Sequence, residues 1–415
     1  MNSKSYLWLF FIFQYVLFYV GLWLIWLPLL SEVHRVGEGL SFIGLIVSGL
    51  FVSFLLPKVL FSYAIGNWID RVPLKSYGLM ASSILVLAST LVLFIPATGV
   101  GFIALAFVAI LIRAICRGSM QIVAPSFIKT TTVDKVKSQD RLGLVSILPN
   151  IIYGLGGAIG GYIGLNISFS NVVYICLLIA VINLLFSVIT YFLESKREAL
   201  ESKTASNHKQ ASKVNYIETL KELSQSSTHA LFVEKILITV MFGSAPFIVN
   251  STFYINFANA DFYYTLYLFG ITVGMLAALT KQDILKKVLY KKYKKPALAV
   301  GLVGYFILLS IFKSFSPLGI VALSSLLGFL HLYIYRINAE KLNTELDVNQ
   351  VGKVNGLAFQ IEISVILVIH FLFPVLALWV PAEMAYILGG GITTLALVAL
   401  HQRLLGRADQ RGAVQ

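Results

Sequence analysis

The sequence predicts an all-α integral membrane protein, with about twelve transmembrane helices in two pseudo-symmetric bundles of six. Three observations carry this prediction. Apolar and aromatic residues make up 58% of the chain and charged residues only 12%, about half the usual soluble share, so polar groups cannot cover a water-facing surface. The apolar residues fall in runs of about 20 or more, the length a helix needs to cross the hydrocarbon core. The basic residues gather in alternate loops, the pattern that orients a membrane protein.

The runs lie near 6–31, 41–69, 75–96, 100–126, 141–164, 171–193, 230–252, 262–280, 296–313, 317–337, 354–379 and 383–403. The first starts at Tyr6 and lacks the small-residue cleavage site of a secretory signal, so it is read as a retained span. Inside lipid the backbone has to satisfy its own hydrogen bonds, which makes each run a helix. The turn-punctuated alternation of an outer-membrane barrel is not seen.

The polar segment 194–229, with ESKTASNHKQASK at its centre, has a linker composition. It divides the chain into an N-terminal bundle (1–193), a cytoplasmic linker (194–229), a C-terminal bundle (230–403) and a cytoplasmic tail (404–415). DRLGL (140–144) opens span five and KVNGL (353–357) opens span eleven, a faint echo between the halves. Such internal symmetry fits transporters that rock about a central site.

The net charge of +13 is distributed for topology, not for nucleic acid. Lys129, Lys135 and Lys137 follow span four, Lys196 to Lys221 populate the linker, Lys281 to Lys295 follow span eight, and Arg403, Arg407 and Arg411 lie at the C-terminus. The opposite loops hold little beyond Arg35 and Lys313. Both termini are therefore expected in the cytoplasm of a bacterium, with the chain in its inner membrane. Cys116 and Cys176 sit in apolar runs, with no disulfide framework and no metal-ligand spacing. There is no phosphate-binding loop for an ATP motor and no nucleophile–base arrangement. The expectation is a monomeric transporter, not an enzyme, driven by a proton gradient and needing no cofactor.

One polar cluster interrupts this pattern. GNWIDRVPLK (66–75) sets Gly66, Asp70, Arg71 and Lys75 between spans two and three. It resembles the loop motif of the major facilitator superfamily, G-x-x-x-D-R-x-x-x-[RK], and span count, orientation and central linker extend the resemblance over nearly the whole chain. The glycine that the family has after Arg71 is missing, and Pro73 stands nearby. The resemblance implies rocker-switch alternating access. Asp70 and Arg71 would latch the cytoplasmic ends of the halves, and Gly66 would let helices two and eleven approach. The alternative is a charged turn that only anchors topology.

In span five, GGAIGG (156–161) resembles the antiporter motif G-P-x-x-G-G, with Gly157 at the proline position. Gly156, Gly157, Gly160 and Gly161 serve either that motif or plain helix packing. Spans two, five and eleven further resemble the branch of proton-driven exporters that includes macrolide efflux and enterobactin (siderophore) export proteins.

Ionisable residues inside spans are functional candidates by default. Lys58 lies 12 residues before Asp70, roughly 18 Å up the helix. Arg113 and Arg117 share a face of span four. The family's span-four arginine, four residues before a glycine, would fall at Ala114 relative to Gly118, one residue from Arg113. Facing a cavity, Lys58, Arg113 and Arg117 would attract an anion and repel a cation, and arginine's fork suits carboxylate. The alternative is that they snorkel or bond backbone carbonyls.

Tyr15, Tyr19, Trp23 and Trp26 form a stripe on span one, with Tyr19 and Trp23 as candidate substrate contacts or as packing groups. Glu362 in span eleven is the candidate proton carrier or a fixed partner for a cation. Glu234 and Lys235 are read as interfacial, and His331 and His370 as in-span histidines. The resulting expectation is a proton-coupled exporter of an anionic small molecule such as a carboxylate-type siderophore. Its rivals are macrolide or multidrug efflux, import of an organic anion or ferric siderophore, and a transport-dead sensor.

Overall fold

The computed structural model describes residues 3–37, 43–132, 134–201, 260–280, 316–347 and 350–377, with scattered residues between 218 and 236. The elements are α1 (Ser3–Leu24), α2 (Trp26–Val36), α3 (Ile43–Arg71), α4 (Ser76–Val92), α5 (Val100–Thr131), α6 (Lys135–Asn166), α7 (Phe169–Glu201), α8 (Ala260–Thr280), α9 (Pro317–Glu345) and α10 (Val351–Ala377). No strand occurs among the described residues, and six stretches there are long and apolar enough to cross a membrane. Spans nine and twelve, and most of span seven, lie outside the described residues.

The contacts group into two compact units. One contains Met1–Glu222 with Asn343–Gln360, and the other Leu223–Leu342 with Ile361–Gln415. The first six spans therefore share a unit with the start of α10. Within it, α3 and α4 pack on α5, and α1 packs on α6 and α7.

The faces of α7 show what solvent this unit is built for. Tyr174, Leu178, Val181, Leu185, Ile189 and Phe192 are exposed, whereas Asn183, Ser187, Thr190 and Glu194 are buried. That is helical periodicity with the apolar stripe outward, as a lipid-facing helix requires. The inward polar groups hold helices together. Asn183 Nδ2 on α7 and Gln14 Nε2 on α1 both donate to Ser83 Oγ on α4, at 3.0 and 3.4 Å.

The first expected span is two helices, because the chain breaks at Ile25. Pro28 has no N–H to give the Leu24 carbonyl, which weakens the turn at that point. Glycines of α6 fill the break. Gly156 faces Trp23 Cβ and Gly164 faces the Pro28 ring, and a Cβ on Gly160 would overlap the Leu24 carbonyl. The packing stripe is therefore Gly156, Gly160 and Gly164. Gly157 and Gly161 are buried as well. In the second unit α8 and α9 meet equally closely, at Gly274 against the Ser325 carbonyl and Gly328 against that of Ile271.

Candidate functional site

Two of the three in-span cations come together. The Arg117 guanidinium on α5 lies 4.8 Å from the Trp23 ring centre and 5.0 Å from that of Phe54. Lys58 Nζ on α3 lies 5.3 Å from the same Phe54 ring. Gly118 gives the lysine stem its room, since a Cβ there would stand 3.3 Å from Lys58 Cγ. Tyr19 is buried one turn before Trp23 on α1. A cation over a ring face is held by the ring's quadrupole.

Arg113 does not join it. Its Nη1 donates to the Gly21 carbonyl at 2.8 Å and more weakly to that of Leu22 at 3.5 Å, and its Nη2 donates to Thr90 Oγ1 at 2.8 Å. The side chain is 2% exposed. This corrects the reading of Arg113 as a cavity cation. Arg113 adds a donor to carbonyls of α1 close to the break and ties α1 to α4 and α5. Arg113 thus follows the carbonyl-bonding alternative.

At the inner end of α3 the charged cluster is organised by helix termini. Asp70 accepts from Gly352 N at 2.9 Å and Lys353 N at 2.8 Å, so it caps the start of α10. A Cβ on Gly66 would overlap the Gly352 carbonyl, and one on Gly356 would overlap that of Ser62, so these backbones touch. Lys75 Nζ donates to the carbonyls of Ile69 (2.5 Å), Val72 (2.7 Å) and Asp70 (3.2 Å), the last carbonyls of α3 and the turn after it. Burial lowers the Lys75 pKa, opposed by the nearby charges of Asp70, Glu194 and Glu198. Arg71 is exposed and donates to Asn67 at 3.1 Å on its own helix.

Sequence reasoning missed Glu194. This buried residue of α7 accepts from Ser76 N at 2.8 Å and so caps α4. Its only sequence signal is an acid at the end of an apolar run.

In the second unit Glu362 on α10 is completely buried, and Lys235 is 2% exposed. The Glu362 carboxylate is the charge that acts on the Lys235 ammonium. Lys235, read from the sequence as interfacial, is buried in the protein within the influence of that acid. Glu234 lies outside the described residues, and so does the His370 side chain. His331 packs against Tyr335, with ring centres 5.8 Å apart.

Among the described residues no three His, Cys, Asp or Glu side chains group as metal ligands. The family model described as Major Facilitator Superfamily matches residues 8–361. The chain belongs to the major facilitator superfamily.

Its twelve-helix architecture fits the described helices, and secondary transport across a membrane is the activity of the family. Among solved structures, this superfamily member is similar to the crystal structure of the human organic anion transporter MFSD10 (TETRAN). The TM-score is 0.66 at 15% identity, covering 98% of this chain and 100% of that one. At that identity the likeness shows the fold alone. No curated protein matches the chain by sequence.

Proposed function

We propose that this major facilitator protein is a proton-coupled exporter of an anionic small molecule, with carboxylate-type siderophores as first candidates. It works as a monomer by rocker-switch alternating access in a bacterial inner membrane, with both termini cytoplasmic. The observation that carries the anion reading is the convergence of Lys58 and Arg117 on the Phe54 ring. Two cations gathered at one ring make a positive potential that favours cargo of opposite sign. The organic anion transporter of similar fold moves cargo of the same sign.

In this reading Asp70 is the latch. Its carboxylate holds the N-terminus of α10 in one state and releases it in the other, a bistable contact of about 1–2 kcal/mol. Glu362 carries the proton. When it is charged, Lys235 balances it. When it is protonated, Lys235 is left as the local charge, so one proton changes the field of its surroundings.

Flux in reconstituted vesicles under an imposed pH gradient tests the proposal. The comparison is between a polycarboxylate siderophore, iron-free and iron-loaded, and a cationic macrolide. Proton-driven movement of the iron-free anion, against the proton flow, is the expected result. Movement of the macrolide alone overturns the anion reading. Movement of the loaded anion with the proton flow overturns export.

A further inference from the structure

Arg71 is the charge of the 66–75 cluster that the latch does not use. Asp70 and Lys75 turn inward onto helix ends, whereas Arg71 is exposed and its Nη2 donates to Asn67 one turn back on its own helix. A guanidinium carries five N–H donors, and no carboxylate pairs with Arg71 among the described residues. Trp68, Ala64 and Phe61 precede it by three, seven and ten residues, a spacing that sets all four on one face of α3. All four are exposed.

Along this face α3 and α5 leave a recess of about 380 Å³, lined by Phe61, Ala64, Ile65 and Trp68 of α3 and by Ile115 of α5. Ala64 makes the room, since it is the small residue between two large rings. Phe61 and Trp68 are 45% and 46% exposed, so the recess opens on the outside of the unit. An apolar outer face on a membrane-spanning helix meets lipid, as the stripe on α7 does. Water finds no hydrogen-bond partners in an apolar lining, whereas a hydrocarbon chain fits one. Trp68 suits the border between hydrocarbon and headgroups, where an indole keeps its ring dry and its N–H wet. Arg71 ends the helix about 4.5 Å further along the axis, within reach of the headgroup of a lipid whose chain lies in the recess.

We infer that this face of α3 binds one phospholipid of net negative charge. An acyl chain lies in the recess between α3 and α5, and the headgroup phosphate takes the Arg71 guanidinium. Guanidinium suits phosphate because its planar donors meet two oxygens at once. Net negative charge is required because the amine of a zwitterionic headgroup offsets the attraction of its phosphate for a cation. The site is separate from Lys58 and Arg117 and does not depend on the sign of the cargo.

The test is native mass spectrometry of the purified full chain, with phosphatidylglycerol and phosphatidylcholine of identical chains added at matched concentrations. One phosphatidylglycerol is expected to be retained about tenfold more tightly than phosphatidylcholine. Arg71→Gln should bring phosphatidylglycerol down to the phosphatidylcholine level, and Arg71→Lys should keep part of the preference. Ala64→Leu and Ala64→Trp fill the recess in steps and should weaken both lipids in that order. Both positions are exposed, and the melting temperature in detergent checks that each variant keeps the fold. Equal retention of the two lipids by the unaltered chain, or a preference that survives Arg71→Gln, overturns the headgroup assignment. Full retention in both Ala64 variants reduces the site to ordinary lipid contact and overturns the inference. A dimer that Ala64→Trp disperses would give this face to a second copy of the chain and overturns it as well.

Discussion

Arg113 and Arg117 are four residues apart on one helix, and their surroundings differ in kind. Arg113 ends on carbonyls of α1 and on Thr90, whereas Arg117 ends on rings. Their substitutions should therefore fail in different ways. Arg117→Ala removes the charge from the proposed site and should raise KM for anion flux by about tenfold, with little change in melting temperature. An equal loss for neutral amphiphiles would count against a basic site. Arg113→Ala removes the donors to the Gly21 carbonyl and to Thr90 Oγ1, whose own bond to the Val86 carbonyl remains, and should cost about 1–3 kcal/mol in all. The expected reading is a clearly lower melting temperature in detergent, and an unchanged one would show that the break in α1 holds without Arg113. Trp23 and Tyr19 stand on the stripe that the sequence displays, but no local pattern tells a ring facing a cation from a ring facing lipid.

At the scale of elements, the inner end of the N-terminal unit is built from caps. Lys75 closes α3, Glu194 closes α4 from α7, and Asp70 closes α10. A carboxylate at a helix start meets free N–H groups and the positive end of the dipole. Asp70→Asn retains one acceptor and loses the charge. It should cripple flux while the amount of folded protein is kept, and normal flux in this variant would remove the latch. Glu194→Gln keeps an acceptor for Ser76 N and should retain most activity, whereas Glu194→Ala should lose stability by about 1–2 kcal/mol, read as a drop in melting temperature. An unchanged melting temperature in Glu194→Ala would show that the cap contributes nothing. The GNWIDRVPLK cluster was legible as a motif. The partners of Asp70 were not, because they lie 282 and 283 residues away in the chain.

For the whole molecule the predictions concern coupling and orientation. Glu362→Gln should abolish the pH dependence of flux, because an amide cannot carry the proton. Unchanged pH dependence would leave Glu362 as the fixed counter-charge of Lys235. A cysteine added in the tail after Arg411 should resist a membrane-impermeant thiol reagent in intact cells and react in inverted vesicles. Reaction in intact cells would reverse the proposed topology. The loop charges are what make orientation readable, since the positive-inside bias is counted along the chain and needs no tertiary contact.

The sequence by itself determined the membrane-spanning helical class, the positions of the first six spans and the family, since apolar run length, loop charge and the 66–75 motif are all local properties. It also marked Lys58, Arg117 and Glu362 as charges that lipid does not tolerate without cause. The tertiary structure decided what each charge faces. It turned Arg113 onto the broken α1, buried Lys235 within the influence of the Glu362 charge, set Lys58 and Arg117 over one ring, and brought Glu194 to the start of α4. The physical reason is that hydrophobicity places a residue at a depth in the bilayer, whereas the direction it faces is fixed by close packing with helices distant in sequence.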